Sequence, residues 1–239
     1  MTEMLFRKDG YARDAIGKVT AITEEGGIVL KGSVFYPTSG GQPGDGGRLT
    51  WHDGEIEIAT AVKGEGEDIV LVPSEPSALP PVGTTVNQRI AWDRRYAMMR
   101  MHTALHLLSV VIPLPVTGGS IGVEKGRLDF DMPDAPEDKD ALTDTLNKLI
   151  ACDFAVTEEF ITDAELDANP GLVKTMSVQP PMGAGRIRLV RIGDDVRQID
   201  LQPCGGTHVA RTSEIGRVRL GKIEKKGKQN RRVTLLLDD

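Results

Sequence analysis

"DRRYAMMRMHTALHLLSVV", residues 93–111, marks the point at which the character of the chain changes. Alanine, leucine, methionine and arginine dominate this stretch, and these residues favour a helix. Asp93 is a suitable N-cap for that helix. Pro113 and Pro115 follow it, and proline interrupts helical hydrogen bonding. We therefore predict a helix that is capped by Asp93 and ends before Pro113.

The region before this helix has the pattern of short strands separated by turns. Glu25–Gly27 and His52–Gly54 lie between runs of strand composition, and the Asp-Gly dipeptide of the second is typical of a β-hairpin. Strands are predicted in "AIGKVTAIT", "GIVLKGSVFYP", "GRLTW", "EIEIATAV", "IVLVP" and "TTVNQRIAW". Their short, regular spacing predicts a small β-barrel-like domain over residues 1–90.

The region after residue 90 mixes helices with strands. "TGGSIGV" and "GRLDFDM" predict a hairpin, "EDKDALTDTLNKLI" predicts an amphipathic helix, and "TDAELDA" predicts a short helix capped by Thr162. Further strands are predicted in "DFAVTEEFI", "RIRLVRI", "VRQIDLQ", "EIGRVRLGKIE" and "RRVTLLL". Because no βαβ unit repeats, we expect residues 91–239 to form an α+β domain and the whole chain to fall in the α+β class.

The composition is that of an ordinary globular protein. Of 239 residues, 39% are hydrophobic and 27% are charged, which fits a soluble chain. No window approaches the ~20 apolar residues that span a bilayer, and "MTEMLFRKDGYARD" lacks the apolar run of a secretory signal, so we expect neither membrane insertion nor secretion. The two cysteines, Cys152 and Cys204, are too few for a disulfide framework, which favours the cytoplasm. We expect Cys152 to be a small buried residue.

Histidine and cysteine are rare in the chain but are concentrated in two pairs. His102 and His106 lie four residues apart on the predicted helix and so share one face. Cys204 and His208 flank a glycine pair in "QPCGGTHVAR", residues 202–211. Such a His/His/Cys/His set is suited to tetrahedral zinc, and we predict one Zn²⁺ per chain. The helix carries "HTALH" where a zincin protease carries H-E-x-x-H, so a protease mechanism is poorly supported.

Charge is distributed unevenly along the chain. The net charge is −6 and the pI is near 5.3, which by itself argues against a nucleic-acid partner. "RVRLGKIEKKGKQNRR", residues 217–232, nevertheless carries eight basic residues and one acid. Because phosphates respond to local charge, this segment is compatible with RNA binding. The residues expected to cluster at its loop are Lys225, Lys226, Lys228, Arg231 and Arg232. The alternative is a solvated hairpin, and the next candidates are then Arg94, Arg95 and Arg100.

The histidine motifs and the glycine-rich segment resemble those of one family. "HTALHLL" together with "DLQPCGGTHVAR" resembles the editing domain of alanyl-tRNA synthetase. "FYPTSGGQPGDGG", residues 35–47, resembles the glycine-rich segment of the small β-domain that precedes that domain. The chain is most similar to the free-standing alanyl-tRNA editing proteins, the AlaX type with an N-terminal β-domain.

This resemblance implies an activity, a partner and a ligand set. The activity is ATP-independent hydrolysis, in trans, of the ester in mischarged tRNA-Ala, with serine as the wrong amino acid and glycine as a second candidate. The partner is tRNA-Ala, and the biological role is translation fidelity. The positions that match the family's metal ligands are His102, His106, Cys204 and His208.

The resemblance also implies further site residues, and each of them has an alternative role. Thr117, in "PVTGGSIG", stands where synthetase members usually carry glutamine. Thr117 and Ser120 are candidates to bind the seryl hydroxyl of the substrate. The alternative is that Thr117 is an ordinary strand residue. Gly205 and Gly206 either present N–H groups to the ester carbonyl or only form the turn. Thr38 or Ser39 stands where the synthetase segment often has an acidic residue. The glycine-rich segment either faces the substrate or forms a turn array.

Three functions are compatible with these residues. The first is a zinc-dependent deacylase of mischarged tRNA-Ala, the second is a non-catalytic tRNA-binding module with a structural zinc, and the third is a zinc hydrolase of another small acyl ester. Four protein ligands would close a tetrahedral shell, so the sequence leaves open whether zinc acts in catalysis or only positions the substrate. It also leaves the oligomeric state open.

Overall fold

The protein has a mixed α+β fold, which confirms the predicted class. The computed structural model describes residues 1–175, 185–194 and 196–238. The chain divides into two compact units, Met1–Tyr96 and Ala97–Asp239. Within the described residues, none of the helices has the length and apolar character needed to cross a membrane.

Six strands of the first unit form a closed barrel, as the strand spacing predicted. The chain first forms β1 (Glu3–Met4) and helix α1 (Leu5–Lys8), and β1 pairs in parallel with the short β4 (Gly32–Ser33). The barrel strands are β2 (Asp14–Ile22), β3 (Ile28–Leu30), β5 (Gly47–Trp51), β6 (Gly54–Lys63), β7 (Ile69–Pro73) and β8 (Thr85–Ile90). Around the barrel they follow the order β2-β3-β7-β6-β5-β8, and each neighbouring pair is antiparallel.

Buried Gln88 explains why "GIVLKGSVFYP" forms two short strands instead of the single strand predicted. The side chain of Gln88 is directed into the barrel by the alternation of β8 and is fully buried. Its amide donates to the carbonyl of Gly32 at 2.9 Å and accepts from the N–H of Val34 at 3.2 Å. The side chain therefore takes the place of a strand partner after β3, because buried backbone groups require hydrogen-bond partners.

Helix α2 (Trp92–Val111) is the predicted helix, but it begins one residue before the predicted cap. Asp93 lies in its first turn rather than at the N-cap, where its negative charge still suits the positive end of the helix dipole. The helix ends before Pro113, as predicted. Residues 101–109 are buried on every side of the helix, so this segment lies inside the second unit instead of on its surface.

The second unit contains two antiparallel sheets and further helices. After α2, its elements are β9 (Val116–Ser120), β10 (Lys125–Asp131), α3 (Lys139–Ala151), β11 (Val156–Ile161), α4 (Asp163–Ala168), β12 (Ile187–Gly193), β13 (Gln198–Pro203), β14 (Val218–Lys225) and β15 (Asn230–Leu237). Short 3₁₀ segments occur at Pro170–Leu172 and Thr212–Ile215. One sheet has the order β14-β15-β10-β9, and the other has the order β11-β12-β13.

Close packing of α2 on the first of these sheets sets the orientation of the helix. A Cβ atom at Gly126 of β10 would lie 2.7 Å from Met101 Sδ and 3.0 Å from Leu105 Cδ1. A side chain at this position would force Met101 to shift, so glycine favours close packing of the helix on β10. His102 and His106 each follow one of these packed residues, so their side chains leave the helix about 100° further round.

The ends of α3 and α4 test two further sequence predictions. Thr162 caps α4 as predicted, because its hydroxyl accepts from the N–H of Glu165 and the Glu165 carboxylate accepts from the N–H of Thr162.

The expectation that Cys152 is buried was wrong. Cys152 forms the C-terminal cap of α3, and the position of the helix end at the surface leaves its side chain exposed.

Candidate metal centre

Four predicted metal ligands lie together in the second unit. His102 and His106 project from α2, and Cys204 and His208 lie on the turn that follows β13. Their candidate ligand atoms all lie within 4.8 Å of one another. Cys204 Sγ is 3.4 Å from His102 Nε2 and 3.3 Å from His208 Nε2. The three imidazoles are buried, so the group could hold a metal ion shielded from water.

Thr103 determines which nitrogen His208 presents to this centre. The Thr103 hydroxyl donates its single hydrogen to the carbonyl of Met99 at 3.0 Å. It must therefore accept in its contacts with His208 Nδ1 at 3.1 Å and with the N–H of Val209 at 3.3 Å. Nδ1 of His208 then carries the hydrogen, and Nε2 keeps the lone pair that a metal needs.

Asp200 determines in a similar way which nitrogen His106 presents to this centre. Its carboxylate is buried, and Oδ2 lies 3.0 Å from His106 Nδ1 and accepts from Gln202 Nε2 at 2.8 Å. The other oxygen, Oδ1, accepts from the ammonium of Lys174. Burial alone would raise the pKa of Asp200, but His106 and Lys174 lower it to about 2. The ionised carboxylate therefore holds Nδ1 of His106 and leaves Nε2 for a metal.

The electrostatics of the centre favour a cation. Burial raises the pKa of the Cys204 thiol, but its interactions with the His102 and His208 rings outweigh this effect, so the pKa lies well below its usual value. Burial and the neighbouring His102 hold the pKa of His208 well below its usual value. Burial lowers the pKa of His106, yet Asp200 and Cys204 raise it to about 9. Metal binding requires a thiolate, neutral imidazole and surroundings that attract positive charge. The directions of these pKa shifts match those requirements for Cys204, His208 and His106 respectively.

Sequence reasoning missed Thr103, Lys174, Asp200 and Gln202. A signal for two of them was present, because Asp200 and Gln202 alternate with Ile199 and Leu201 on the strand that leads directly into Cys204. Alternate residues of a strand share a face. Polar side chains two and four residues before a metal ligand therefore point toward the same side as that ligand.

The glycine pair between Cys204 and His208 forms a turn with unequal N–H groups. The N–H of Gly206 lies 3.5 Å from Cys204 Sγ and so is directed at the thiolate. Gly205 is exposed, and a Cβ atom built on it would meet no described atom within 4 Å. The sequence predicted the same two alternatives for both glycines. In the structure they differ, because only Gly205 has an N–H group that is not directed at the thiolate.

Thr117 and Ser120 lie on the edge strand β9. The Thr117 hydroxyl donates to the carbonyl of Asp129 at 3.1 Å and accepts from Asn230 Nδ2 at 2.6 Å. Ser120 is half-buried, and its hydroxyl has no hydrogen bond within the described residues. The N–H of Val116 donates to the carbonyl of Lys174 at 3.0 Å. Lys174 therefore joins the start of this strand to Asp200 beside the metal ligands.

The basic segment forms the hairpin of β14 and β15, as predicted, but its charges differ in their surroundings. Arg232 is half-buried and binds the Asp129 carboxylate at 2.8 and 2.9 Å. Arg231 is also half-buried and donates to the backbone carbonyls of Pro133 and Asn230. The residues that are exposed at the loop are Lys225, Lys226 and Lys228. These three lysines present their charge to solvent at the tip of the hairpin.

The glycine-rich segment is packed against β6 within the barrel unit. The Thr38 hydroxyl donates to the carbonyl of Ala61 at 3.3 Å and accepts from the N–H of Gly44 at 2.9 Å. A Cβ atom at Gly44 would lie 2.0 Å from the carbonyl oxygen of Ala61. Glycine is therefore required here by close backbone contact. A substrate-binding role for Thr38 stays a prediction.

Arg95 was wrongly proposed as a reserve contact for RNA. It is completely buried in an ion pair with Asp45, which also accepts from the N–H of Tyr36. A guanidinium that solvent does not reach is unable to contact a phosphate. Its side chain instead donates to the carbonyls of Gly10 and Val34. Arg95 thereby stabilises the segment that leads into the glycine-rich turns.

Two family models and several known proteins match this chain. Residues 187–234 match the family model described as the threonyl and alanyl tRNA synthetase second additional domain, and residues 6–94 match the model of class II (A) tRNA synthetases. The alanyl-tRNA editing protein AlaX-M of Methanosarcina acetivorans is 33% identical over 249 residues, which cover 100% of both chains. That of Saccharolobus solfataricus is 35% identical over 98% of both chains. An alanine–tRNA ligase of Pyrobaculum neutrophilum is 30% identical over 94% of this chain and 25% of the ligase.

Proposed function

The chain belongs to the family of alanyl-tRNA editing proteins, and from that membership we propose that it is a trans-acting deacylase of mischarged tRNA-Ala. Its preferred substrate is Ser-tRNA-Ala, with Gly-tRNA-Ala as a second substrate. The observation that carries this proposal is the convergence of two histidines of α2 with the Cys204 turn. Relatives named as editing proteins align along the whole chain, so the proposal extends to both units. The cytoplasmic location expected from the sequence stays a prediction.

We propose zinc as the metal because the donor set fits it. The set comprises three imidazoles and one thiolate, and neighbours hold the Nδ1 atoms of His106 and His208 so that Nε2 is available. A tetrahedral zinc ion bound at about 2.3 Å to sulfur and about 2.0 Å to nitrogen separates these atoms by about 3.5 Å. The separations from Cys204 Sγ are 3.4 and 3.3 Å. When bound, zinc supplies Lewis acid chemistry that can polarise a carbonyl or a water molecule.

The protein's own residues supply the positioning that the reaction needs. An aminoacyl ester is already reactive, so holding it correctly removes much of the barrier. Thr103 and Asp200 keep the two imidazoles in fixed orientations. The exposed Gly205 offers its N–H to the ester carbonyl, whereas the N–H of Gly206 is used by the thiolate. We assign Gly205 to the substrate and Gly206 to the ligand turn.

Selection of serine requires a partner for its hydroxyl. A pocket that pairs with this group rejects alanine strongly, because alanine leaves the pocket's polar atoms without a partner. The Thr117 hydroxyl has used its hydrogen on Asp129 and one lone pair on Asn230, so one lone pair is left to accept from a seryl hydroxyl. Ser120 can both donate and accept. We propose that the two hydroxyls of β9 share this task.

The exposed lysines of the β14–β15 loop are the proposed contact with tRNA phosphates. A local cluster of positive charge binds phosphates even where the total charge is negative, because the field near the surface is set by the nearest groups. Arg232 and Arg231 support the hairpin through Asp129 and backbone carbonyls. We therefore assign the phosphate contacts mainly to Lys225, Lys226 and Lys228.

A deacylation assay tests this function directly. The protein is incubated separately with Ser-tRNA-Ala, Gly-tRNA-Ala and Ala-tRNA-Ala, and release of the free amino acid is measured. Rapid release from the seryl form and slow release from the alanyl form are expected. Free seryl esters without tRNA serve as the comparison substrate. Binding of tRNA without hydrolysis would contradict the proposal, and equal rates on free esters would indicate a general esterase.

A further inference from the structure

The turn that carries Cys204 is held on one side by a single arginine. Arg188 of β12 has a side chain that is only 10% exposed. Its Nη1 donates to the carbonyl of Cys204 at 2.6 Å and to that of Gly206 at 3.0 Å. Its Nη2 binds the carboxylate of Glu158 at 2.6 Å. Two carbonyls of the turn therefore face one guanidinium, whose charge is balanced from the neighbouring strand.

This contact determines where the N–H groups of the turn point. The peptide bonds of the turn are trans, and in a trans peptide the N–H points opposite to the carbonyl of the same unit. Because the Cys204 carbonyl faces Arg188, the N–H of Gly205 faces away from it. That side of Gly205 is open, since the residue is exposed and a Cβ atom there would meet no described atom within 4 Å.

We infer that Arg188 is a positioning residue that holds the N–H of Gly205 toward the carbonyl oxygen of the aminoacyl ester. This role deepens the proposed deacylase function and rests on it. In ester hydrolysis, water adds to the carbonyl carbon and negative charge develops on the carbonyl oxygen. The carbon–oxygen bond to the ribose then breaks, the ribose oxygen takes a proton from the water, and free amino acid leaves. A fixed N–H beside the developing charge lowers the barrier.

Arginine is suited to this task where lysine is not. The guanidinium is planar and presents several N–H donors in fixed directions, so it can bind two carbonyls and a carboxylate at once. A lysine ammonium keeps the charge but has a flexible stem and no fixed fork. Replacement by lysine should therefore leave the turn in place on average and loosen the direction of the Gly205 N–H.

Arg191 provides a matched control on the same strand. It binds Glu159 at 2.8 Å, as Arg188 binds Glu158, and its side chain is 19% exposed. Its second contact is with the carbonyl of Asp194 at 2.9 Å, not with the Cys204 turn. Arg191→Lys therefore makes the same change of side chain, with the same loss of a planar donor group, on the same pair of strands. It leaves the Gly205 N–H untouched.

The test compares Arg188→Lys and Arg191→Lys with the wild-type chain. The measurements are kcat and KM on Ser-tRNA-Ala, metal content, and the visible absorption of the Co²⁺-substituted proteins, which reports the thiolate. Loss of an oriented N–H donor lowers turnover, so Arg188→Lys should reduce kcat on the order of 10- to 100-fold. Its KM and metal content should stay within about twofold of wild type, and its cobalt spectrum should be unchanged. Arg191→Lys should match wild type in all of these measurements.

Two outcomes would overturn the inference while leaving the deacylase function intact. One is an unchanged kcat for Arg188→Lys. The other is a loss of metal or a changed cobalt spectrum in proportion to the loss of activity, which would mean that Arg188 acts on the Cys204 ligand. If Arg188→Lys does not fold, Glu158→Gln loosens the same guanidinium, and it must lower kcat with KM unchanged. Failure of the wild type and Arg191→Lys to hydrolyse the substrate would instead contradict the proposed function.

Discussion

Individual polar residues shape the candidate metal centre, and Asp200 is an example. A carboxylate on the buried face of a strand would be unfavourable by itself, because burial penalises its charge. Asp200 is stabilised there by three neighbours. His106 and Gln202 contact its Oδ2 atom, and Lys174 contacts its Oδ1 atom. The same contacts orient the His106 ring. Buried polar residues of this kind are retained because every member of the network has a partner.

Asp200→Asn should weaken metal binding without removing a ligand. An amide is neutral, so it holds the Nδ1 hydrogen of His106 less strongly and leaves Lys174 without its counter-charge. Replacement of such a partner typically lowers metal affinity about 10- to 100-fold. Competition with a chromophoric chelator measures this affinity. Asp238→Asn, on a surface carboxylate that pairs with Arg219, serves as the control and should bind metal as wild type does.

Thr117→Val should weaken the choice of serine over alanine more than it slows hydrolysis. The change leaves a seryl hydroxyl without one partner, at a cost of about 1–3 kcal/mol. The expected result is a reduction of about 5- to 150-fold in the ratio of kcat/KM for Ser-tRNA-Ala over Ala-tRNA-Ala. Thr117→Ser keeps the hydroxyl and should keep the ratio. An unchanged ratio in Thr117→Val would assign the selection to Ser120.

Among the larger elements, the β14–β15 hairpin shows how one segment divides its charges between folding and binding. Arg232 and Arg127 both bind Asp129, and together they lower the pKa of this carboxyl against the opposing effect of its burial. Arg232 therefore ties β15 to β10, whereas Arg127 lies on β10 with Asp129. Among the described residues, these lysines have no carboxylate partner as close as that of Arg232, and Lys226 lies 3.9 Å from Glu224. The hairpin thus places solvated positive charge at its end.

The triple variant Lys225→Ala/Lys226→Ala/Lys228→Ala should raise KM for Ser-tRNA-Ala and flatten its dependence on salt. Each lost phosphate contact reduces the salt slope by about 1. Turnover at saturating tRNA should stay the same because the metal centre is unchanged. The triple variant Lys18→Ala/Lys31→Ala/Lys63→Ala removes the same charge from exposed lysines of the barrel unit. A normal KM and salt slope in the loop variant would show that the hairpin does not bind tRNA.

For the molecule as a whole, the candidate metal centre brings together distant parts of the chain. Cys204 lies 102 residues from His102, and their ligand atoms are 3.4 Å apart. Because only folding brings these ligands together, we expect the metal to bind the folded chain and not the unfolded one. Binding to the folded state alone also stabilises it by mass action, by about 4 kcal/mol when the metal is present at a thousand times its Kd.

We therefore expect about one zinc per chain by elemental analysis, and a lower Tm after its removal. For a chain of this size, a loss of about 4 kcal/mol corresponds to a fall of roughly 10 °C. His102→Ala should lose zinc and show the same fall. His52→Ala is the matched control, since His52 is an exposed turn residue whose side chain is 95% exposed. Full activity and an unchanged Tm in metal-free protein would refute the proposed zinc site.

Much of the architecture could be predicted because it depends on neighbours in the sequence. The alternation in β8 and the Thr162 capping box are patterns within a few residues, and both appear in the structure. The divided strand around Lys31 was not predictable. It depends on buried Gln88, whose amide reaches across the barrel to backbone groups more than fifty residues away.

The sequence by itself determined the four candidate ligands, because each pair is local. His102 and His106 share a helix face through their spacing, and Cys204 and His208 share one turn. Only the tertiary structure decided what surrounds them. Asp200 and Arg188 act through side chains that meet residues 94 and 16 positions away along the chain. The spacing of residues in one segment does not specify such contacts, because they form only when separate elements pack against one another.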